Sequence, residues 1–379
     1  MIRNPGGSSR SPRRNWSNSR KSIQGRRRTC GWRFPVYRNS WMSGVTQVGE
    51  MGNDPSTRYT AGGNPVINTV SRMNEQRREH VVPQTWSMWL NALRTPHWIK
   101  SGFCLAALFF HGSVLEIGAW MAVLPIGLCF CLISSAVYLA NDIVNRAEDC
   151  RHPRKRKRPI ASGRISIRRA WFAVVFLAGS AIGGAWWFYG WNTPTWVLAG
   201  YYLLSWIYSY YLRGLPLVDV LVLAIGFVAR VGAGAYALQA FDSTAHPTGW
   251  LLSCTYFLAL LLGFGKRKGE WMLLEKTQRE LGITRRALRG YTPDLLNVLT
   301  GSSALLAAAI YLAYCLNRPD RVPFVFTALP ALTGLMSYVR LAWRSTVVET
   351  PERLLLKSPG LVISVATWLV LVGLLTALG

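Results

Sequence analysis

The chain carries metal-binding residue types in a tight group that begins at residue 141. Asp142, Asn145 and Asp149 follow one another at spacings of three and four residues. On a continuous helix these spacings place the three side chains within about 60° of one another. Mg²⁺ prefers oxygen ligands, and one or two carboxylates are enough when substrate phosphates complete its shell. The spacing therefore predicts a Mg²⁺ site, and the competing interpretation is a solvated, capped helix end.

A dense basic run follows these oxygen ligands, at Lys155, Arg156, Lys157 and Arg158. Pro153 precedes the run and predicts that the helix ends before it. Arg offers paired donors to phosphate, and Lys offers a compact positive charge. The alternative is a simple anchor on the cytoplasmic side of a membrane. Because the run comes directly after the acidic residues, we favour diphosphate binding and Mg²⁺-assisted chemistry on a phosphorylated substrate.

Two ionisable residues further along the chain lie within or beside an apolar segment. They are Asp219, which ends the loop Y-S-Y-Y-L-R-G-L-P-L-V-D, and Arg230, eleven residues later. Ionisable groups inside a membrane are costly and are functional candidates by default. Eleven residues are three helical turns, so both side chains could face one cavity. The alternative for Asp219 and Arg230 is a structural ion pair with another helix.

A third candidate region is the segment G-K-R-K-G-E at 265–270. Lys266 and Arg267 follow a glycine at the end of an apolar segment, where a phosphate could bind. Glu270 is placed to hold one of these two cations in position. A phosphate contact from this segment would add to the basic run.

Long apolar segments must position these groups. The chain is 50% hydrophobic and only 16% charged, whereas soluble domains carry about 25% charged residues. This composition predicts an integral all-α membrane protein. We predict about nine spans, at 98–117, 118–140, 168–188, 195–212, 216–238, 250–265, 296–316, 322–341 and 360–378.

The basic residues gather in alternate loops between these spans. The loops at 142–168, 264–294 and 342–358 are basic, whereas the loops at 189–194 and 239–249 are nearly neutral. Positively charged loops stay on the cytoplasmic side. The chemistry-bearing groups and the N-terminus are therefore predicted to face the cytoplasm, and the C-terminus the opposite side.

Residues 1–85 form a basic extension without sustained periodicity, and no Asp or Glu precedes Glu50. We expect this extension to be disordered. Three explanations stay open: a tail that touches anionic lipid, sequence upstream of a true start at Met51 or Met73, or an organelle transit peptide. No nucleic-acid-binding motif accompanies the charge, so we expect no nucleic-acid partner. The catalytic domain is expected at 90–379.

The motifs N-D-x-x-N-x-x-x-D at 141–149 and H-P-x-K-R-x-R-P-I-A-S-G at 152–163 resemble the first aspartate-rich motif of the UbiA superfamily of intramembrane prenyltransferases. The resemblance covers residues 90–379. Within the superfamily, the chain is most similar to the decaprenyl-phosphate phosphoribosyltransferase branch. That likeness is carried by T-P-H-W-I-K at 95–100, the basic run, Asp219 with Arg230, and G-K-R-x-x-E at 265–270 followed by Tyr291 and Thr292.

The resemblance implies a bundle of nine transmembrane helices around a central cavity that opens laterally to lipid. The implied reaction moves 5-phosphoribose from phosphoribosyl diphosphate to a polyprenyl (decaprenyl) phosphate with Mg²⁺ and releases diphosphate. The implied location is a bacterial inner (plasma) membrane, and a homo-oligomer is left open. The implied catalytic metal ligands are Asp142, Asn145 and Asp149. The implied substrate contacts are Lys100, Asn141, Lys155, Arg158, Tyr208, Arg213, Asp219, Arg230, Lys266 and Arg267.

The sequence departs from the family pattern at specific positions. Asn145 stands where the family usually has Asp, which removes one charge from the metal site. Arg213 stands where Lys is usual. Prenyltransferases of the superfamily have a second aspartate-rich motif in the second cytoplasmic loop, of which only Asp219 is present, and this favours the phosphoribosyl branch. The alternatives are transfer of a prenyl group to an aromatic or other acceptor, and a non-enzymatic or transport role.

Overall fold

A computed structural model describes residues 84–151, 155–276, 288, 290–318, 321–344 and 358–378. Nearly all of the basic N-terminal extension lies outside this part of the chain, so its predicted disorder remains a prediction. The residues between the acidic group and the basic run, 152–154, also lie outside it.

The described residues are helical and form no β-strand. The α-helices are α1 Gln84–Leu93, α2 Ala106–His111, α3 Ile117–Val144, α4 Arg146–Arg151, α5 Ile167–Tyr189, α6 Thr193–Ile207, α7 Val218–Leu238, α8 Gly249–Lys276, α9 Pro293–Leu316, α10 Arg321–Val325, α11 Ala328–Arg344 and α12 Pro359–Leu378. Two 3₁₀ segments, Thr95–Leu105 and Lys155–Lys157, and a π-helical segment, Tyr208–Leu212, complete the described helices.

Six of these helices are long and apolar enough to cross a membrane: α3, α5, α7, α8, α9 and α12. They correspond to six of the nine predicted spans, and the predicted all-α membrane bundle is confirmed. The count of nine stays a prediction, because the other three predicted spans consist of shorter pieces.

Each of those three predicted spans is divided into two shorter helical pieces. The first consists of the 3₁₀ helix Thr95–Leu105 and α2, which ends at His111 and is capped by Gly112 with a φ of 89°. At rises of about 2.0 and 1.5 Å per residue, these two pieces together extend for about 30 Å. The fourth predicted span is α6 with its π-helical continuation. The eighth divides between α10 and α11.

Helix α3 lies at the centre of the first half of the bundle. Its fully buried side chains include Ile126, Phe130 and Ile133. The face of α5 that packs against this core presents small residues, among them Ala181 and Ala185. Small residues let two membrane helices approach closely, so α5 packs tightly against α3.

The 3₁₀ helix Thr95–Leu105 packs directly against α7. A Cβ atom at Gly234 would overlap the backbone carbonyl of Cys104, so only glycine permits this approach. The indole of Trp98 also donates a hydrogen bond of 3.0 Å to Ser135 on α3. These contacts fix the 3₁₀ helix between α3 and α7, beside the predicted site.

Candidate active site

Two buried carboxylates converge on one point where α3 ends and α4 begins. Asp142 lies in the last turn of α3 and Asp149 lies in α4, and they are 4% and 2% exposed. One nitrogen of Arg158, Nη1, donates to Asp142 Oδ1 at 3.1 Å and to Asp149 Oδ2 at 2.7 Å. Because a single nitrogen reaches both carboxylates, one small cation can be bound by both.

The helix that carries these carboxylates is not continuous. Helix α3 ends at Val144, and Asn145 follows as its cap with φ −87° and ψ 10°. The Asn145 side chain donates to the Asn141 carbonyl at 2.7 Å, and the Asn145 backbone N–H donates to the same carbonyl at 3.0 Å. The expectation of one helix through all three residues is therefore wrong, although the turn still brings Asp142 and Asp149 together.

Arg94 is a site residue that the sequence analysis did not identify. Its Nη2 donates to Asp142 Oδ1 at 2.6 Å, and its guanidinium lies 4.8 Å from the Tyr138 ring centroid. Tyr138 and Asp142 are one turn apart on α3, so Arg94 contacts both at once. Arg94 has φ 54° and ψ 47°, a left-handed conformation that costs a non-glycine residue about 1–2 kcal/mol. Its position directly before the T-P-H-W-I-K motif was the available signal.

Besides Arg94, three cations lie near the two carboxylates: Lys155, Arg158 and Arg213. Burial lowers the pKa of Lys155, and the neighbouring charges of Arg158 and Arg213 lower it further, while Asp149 raises it. Arg213 therefore lies within electrostatic reach of Lys155, although 58 residues separate them in sequence. An anion that carries several negative charges would bind favourably among these cations.

The donor set at this point suits Mg²⁺. Asp142 and Asp149 provide two hard oxygen ligands directed at one cation, here the guanidinium of Arg158. In the described part of the chain, no group of three or more His, Cys, Asp or Glu side chains could hold a metal ion. A Mg²⁺ ion bound here would take its other ligands from an amide such as Asn145, from water or from substrate phosphate, which is how Mg²⁺ is usually held.

Asp219 and Arg267 form a buried ion pair apart from these carboxylates. Arg267 Nε donates to Asp219 Oδ2 at 2.6 Å, and Tyr291 donates to Asp219 Oδ1 at 2.9 Å. Arg267 also donates to Glu270 at 2.7 Å. Asp219 is fully buried, and Arg267 is 1% exposed. Asp219 is thus paired with an arginine of another helix, and Glu270 holds Arg267 as expected. Contact of Asp219 and Arg267 with a substrate stays a prediction.

Arg230 lies deeper than Asp219 and has different neighbours. It donates to the Tyr201 hydroxyl at 2.7 Å, the Ser134 hydroxyl at 3.2 Å and the Gly226 carbonyl at 2.8 Å. These groups belong to α6, α3 and α7, whereas the partners of Asp219 belong to α8 and to the segment before α9. The described contacts therefore do not bring Asp219 and Arg230 together.

The remaining predicted contacts lie on elements that border the site. Tyr208 begins the π-helical segment and is close enough to Arg267 to interact with its charge. Single π-helical turns inside α-helices are frequent at functional sites. Lys100 belongs to the 3₁₀ helix, and Lys266 is half-buried in α8. Their contact with a substrate remains a prediction.

Comparison with known proteins agrees with this architecture. Residues 81–359 match the UbiA prenyltransferase family. A decaprenyl-phosphate phosphoribosyltransferase of Mycolicibacterium smegmatis is 27% identical over 301 residues, which are 75% of this chain and 91% of that protein. A protein of the same name from Corynebacterium glutamicum is 28% identical over 235 residues, 60% of this chain and 66% of that protein.

A solved structure shows the same fold. The UbiA homolog from Archaeoglobus fulgidus bound to GPP and Mg²⁺ superposes with a TM-score of 0.55 and 17% identity, and the match covers 77% of this chain and all of that one. The family match extends over most of the chain and includes all of the residues that converge at the end of α3. The chain belongs to the UbiA prenyltransferase family and is an integral membrane transferase.

Proposed function

We propose that this transferase moves 5-phosphoribose from phosphoribosyl diphosphate to a polyprenyl phosphate, such as decaprenyl phosphate, and releases diphosphate. Relatives that cover most of its length carry the name of this activity. The transferase would act in a bacterial inner membrane, with the end of the bundle that holds Asp142 and Asp149 facing the cytoplasm.

The environment of Asp219 is the observation that carries this proposal. Asp219 is the one acidic residue in the segment where prenyltransferases of the superfamily have a second aspartate-rich motif. Its carboxylate is occupied by Arg267 and Tyr291 and is fully buried, so it is not available to a second metal ion. The second carboxylate group that superfamily prenyltransferases have is thus missing here, which favours the phosphoribosyl reaction, and the second phosphorylated substrate would bind through cations.

The residues around the carboxylates can support this reaction by binding and charge stabilisation. The bond between ribose carbon 1 and the diphosphate oxygen breaks, and negative charge develops on the departing diphosphate. Lys155, Arg158 and Arg213 would bind that anion. Asp142, Asn145 and Asp149 would hold Mg²⁺, which when bound neutralises part of the charge on the diphosphate.

The acceptor does not need a general base. A phosphate oxygen of the polyprenyl phosphate is already an anion, and it forms the new bond to carbon 1 as positive charge develops there. Because no proton has to be removed, the site can work without a histidine or a free carboxylate at the acceptor. The role of Arg94 would be to keep Asp142 ionised and in position beside Tyr138.

Prenyl transfer to an aromatic or other acceptor is the second candidate. Its support is the fold shared with structures that contain prenyl diphosphates, namely GPP and DMAPP. The leaving group would again be diphosphate, so Asp142, Asp149 and the surrounding cations would keep the same roles.

Membranes that contain this chain can distinguish the two reactions. They would be incubated with Mg²⁺, labelled phosphoribosyl diphosphate and decaprenyl phosphate, and the label in the lipid phase would be measured. We expect lipid label that disappears with a chelator and with Asp149→Ala. An absence of label, with expression verified and a homologous phosphoribosyltransferase active in parallel, would refute the phosphoribosyl reaction and lead to a screen with prenyl diphosphates.

A further inference from the structure

Arg230 is a cation buried near the middle of a membrane-spanning helix. It is 6% exposed, and it lies eleven residues beyond Asp219, or about 16 Å at the rise of an α-helix. Ionisable residues at such depth are rare, and they are functional candidates by default.

The neighbours of Arg230 stabilise its charge without neutralising it. Its hydrogen-bond acceptors are two hydroxyls and one carbonyl. The rings of Tyr201, Phe130 and Phe227 lie 4.5, 5.6 and 5.6 Å from the guanidinium carbon. Across the described ranges, no carboxylate forms an ion pair with Arg230. A buried arginine with only neutral partners can be neutralised by an anionic ligand.

One donor of this guanidinium has no acceptor. Arg230 Nε is buried, and no described residue accepts a hydrogen bond from it. Leaving a buried charged donor unsatisfied costs more than leaving a neutral one, and such groups are rare in folded proteins. An oxyanion beside Arg230 would supply the missing acceptor and the missing negative charge together.

A polar face of α3 connects this position with the carboxylates. Ser134, which accepts from Arg230, lies seven residues before Asn141 and therefore on the same face, two turns deeper. It lies eight residues before Asp142, which is about 12 Å along the helix axis. A substrate with phosphate groups at both ends could therefore contact both levels when extended.

Lys100 faces the same region. In a 3₁₀ helix, residues three apart lie one above the other, so Lys100 shares an edge with Phe103. The Phe103 ring packs edge-on against Phe227, with ring centroids 4.9 Å apart, and Phe227 also lies over Arg230. The edge of the 3₁₀ helix that carries Lys100 is therefore directed at α7, above Arg230.

We propose that Arg230, with Tyr201 and Ser134, forms a second anion site that binds a phosphate monoester. The proposal rests on the proposed function, because phosphoribosyl diphosphate carries a monophosphate on carbon 5 besides the diphosphate on carbon 1. A prenyl diphosphate carries no such group. The polyprenyl phosphate acceptor is the other source of a phosphate monoester in this reaction.

Binding to the purified full chain tests the site without turnover. Isothermal titration in detergent with Mg²⁺ would compare three ligands: ribose 5-phosphate, farnesyl phosphate and inorganic diphosphate. For Arg230→Gln we expect one monoester to bind about 10- to 100-fold more weakly, as for the loss of a charge-assisted hydrogen bond. Inorganic diphosphate should bind within about twofold of wild type. Arg168→Gln removes an exposed arginine of α5 and should leave all three affinities unchanged.

The pattern of loss decides the outcome. Weaker ribose 5-phosphate assigns the site to the donor, and weaker farnesyl phosphate assigns it to the acceptor. Unchanged monoester binding, or equal loss of all three ligands, overturns the proposal. If Arg230→Gln does not fold, the same titrations are made with Arg230→Lys and Tyr201→Phe. The anion site then requires that each variant weakens the binding of a monoester and leaves the binding of inorganic diphosphate unchanged.

These results are separable from the proposed function. Lipid labelling by the wild type together with unchanged monoester binding in Arg230→Gln would refute the anion site alone. Selective loss of a monoester, in a protein that transfers only prenyl groups, would retain the site and refute phosphoribosyl transfer.

Discussion

Replacement of Asp219 by Asn tests whether this residue has a structural or a substrate-binding role. The change removes the negative charge beside the Arg267 Nε that now donates at 2.6 Å. It also leaves one amide oxygen where two carboxylate oxygens now accept from Arg267 and Tyr291. Removing one partner of a buried ion pair costs about 3–5 kcal/mol. Because Glu270 still accepts from Arg267 at 2.7 Å, we expect about 3 kcal/mol, the lower end of that range.

Thermal unfolding in detergent would measure this loss. A change of about 3 kcal/mol corresponds to a Tm lower by roughly 5 °C for a domain of about 290 residues. Glu270→Gln is a matched control, because the Glu270 side chain is 16% exposed and its removal leaves Asp219 in place. We expect a smaller loss for that variant than for Asp219→Asn, because the Glu270 position is partly exposed and water can solvate the new amide.

The same two variants separate stability from catalysis. If Asp219 is structural, Asp219→Asn should keep its affinity for phosphoribosyl diphosphate below its Tm. An unchanged Tm together with loss of donor affinity would refute this reasoning and assign Asp219 to the substrate. Loss of both would mean that the ion pair also positions a substrate contact on α8.

Three further changes probe the carboxylate site. Asp149→Asn should reduce transfer at least about 100-fold, since about 3 kcal/mol of charge stabilisation is lost; a rate near wild type would refute the metal assignment. Asn145→Asp should lower the Mg²⁺ concentration that gives half-maximal activity. It should also lower the Tm by a few degrees, because a carboxylate replaces the amide NH₂ that donates to the Asn141 carbonyl and repels that carbonyl. An unchanged Mg²⁺ requirement would place Asn145 outside the metal shell. The pKa of Lys155 is lowered, so its positive charge is present below that pKa and is lost as pH rises through it. The affinity for phosphoribosyl diphosphate should therefore fall on the alkaline side. Lys155→Arg should move that fall to higher pH, and an identical pH profile would exclude Lys155 from donor binding.

The sequence allowed the membrane class, most span positions and the pairing of Asp142 with Asp149 to be predicted. These depend on composition and on short-range spacing, which a single sequence displays directly. The break at Asn145 was missed because the i, i+3, i+7 pattern extends across it. A helix cap depends on the backbone, and Asn in a helix interior and Asn at a cap look alike in sequence.

The partners of the buried charges were harder to predict. Asp219 and Arg267 are separated by 48 residues, and nothing in either local segment specifies the other. Arg94 was missed for a similar reason, because its link to Asp142 also spans 48 residues. Its left-handed backbone has no sequence signal when the residue is not glycine or asparagine.

Gly234 has no functional group, yet its position has a consequence for the whole site. Because the Cys104 carbonyl lies against it, any side chain at this position would push the 3₁₀ helix away from α7. That helix begins beside Arg94 and carries Lys100, so both cations would move with it as a unit. A substitution inside the membrane would then weaken catalysis without touching a reacting atom. Mutational screens that score only residues with reactive side chains would overlook this glycine.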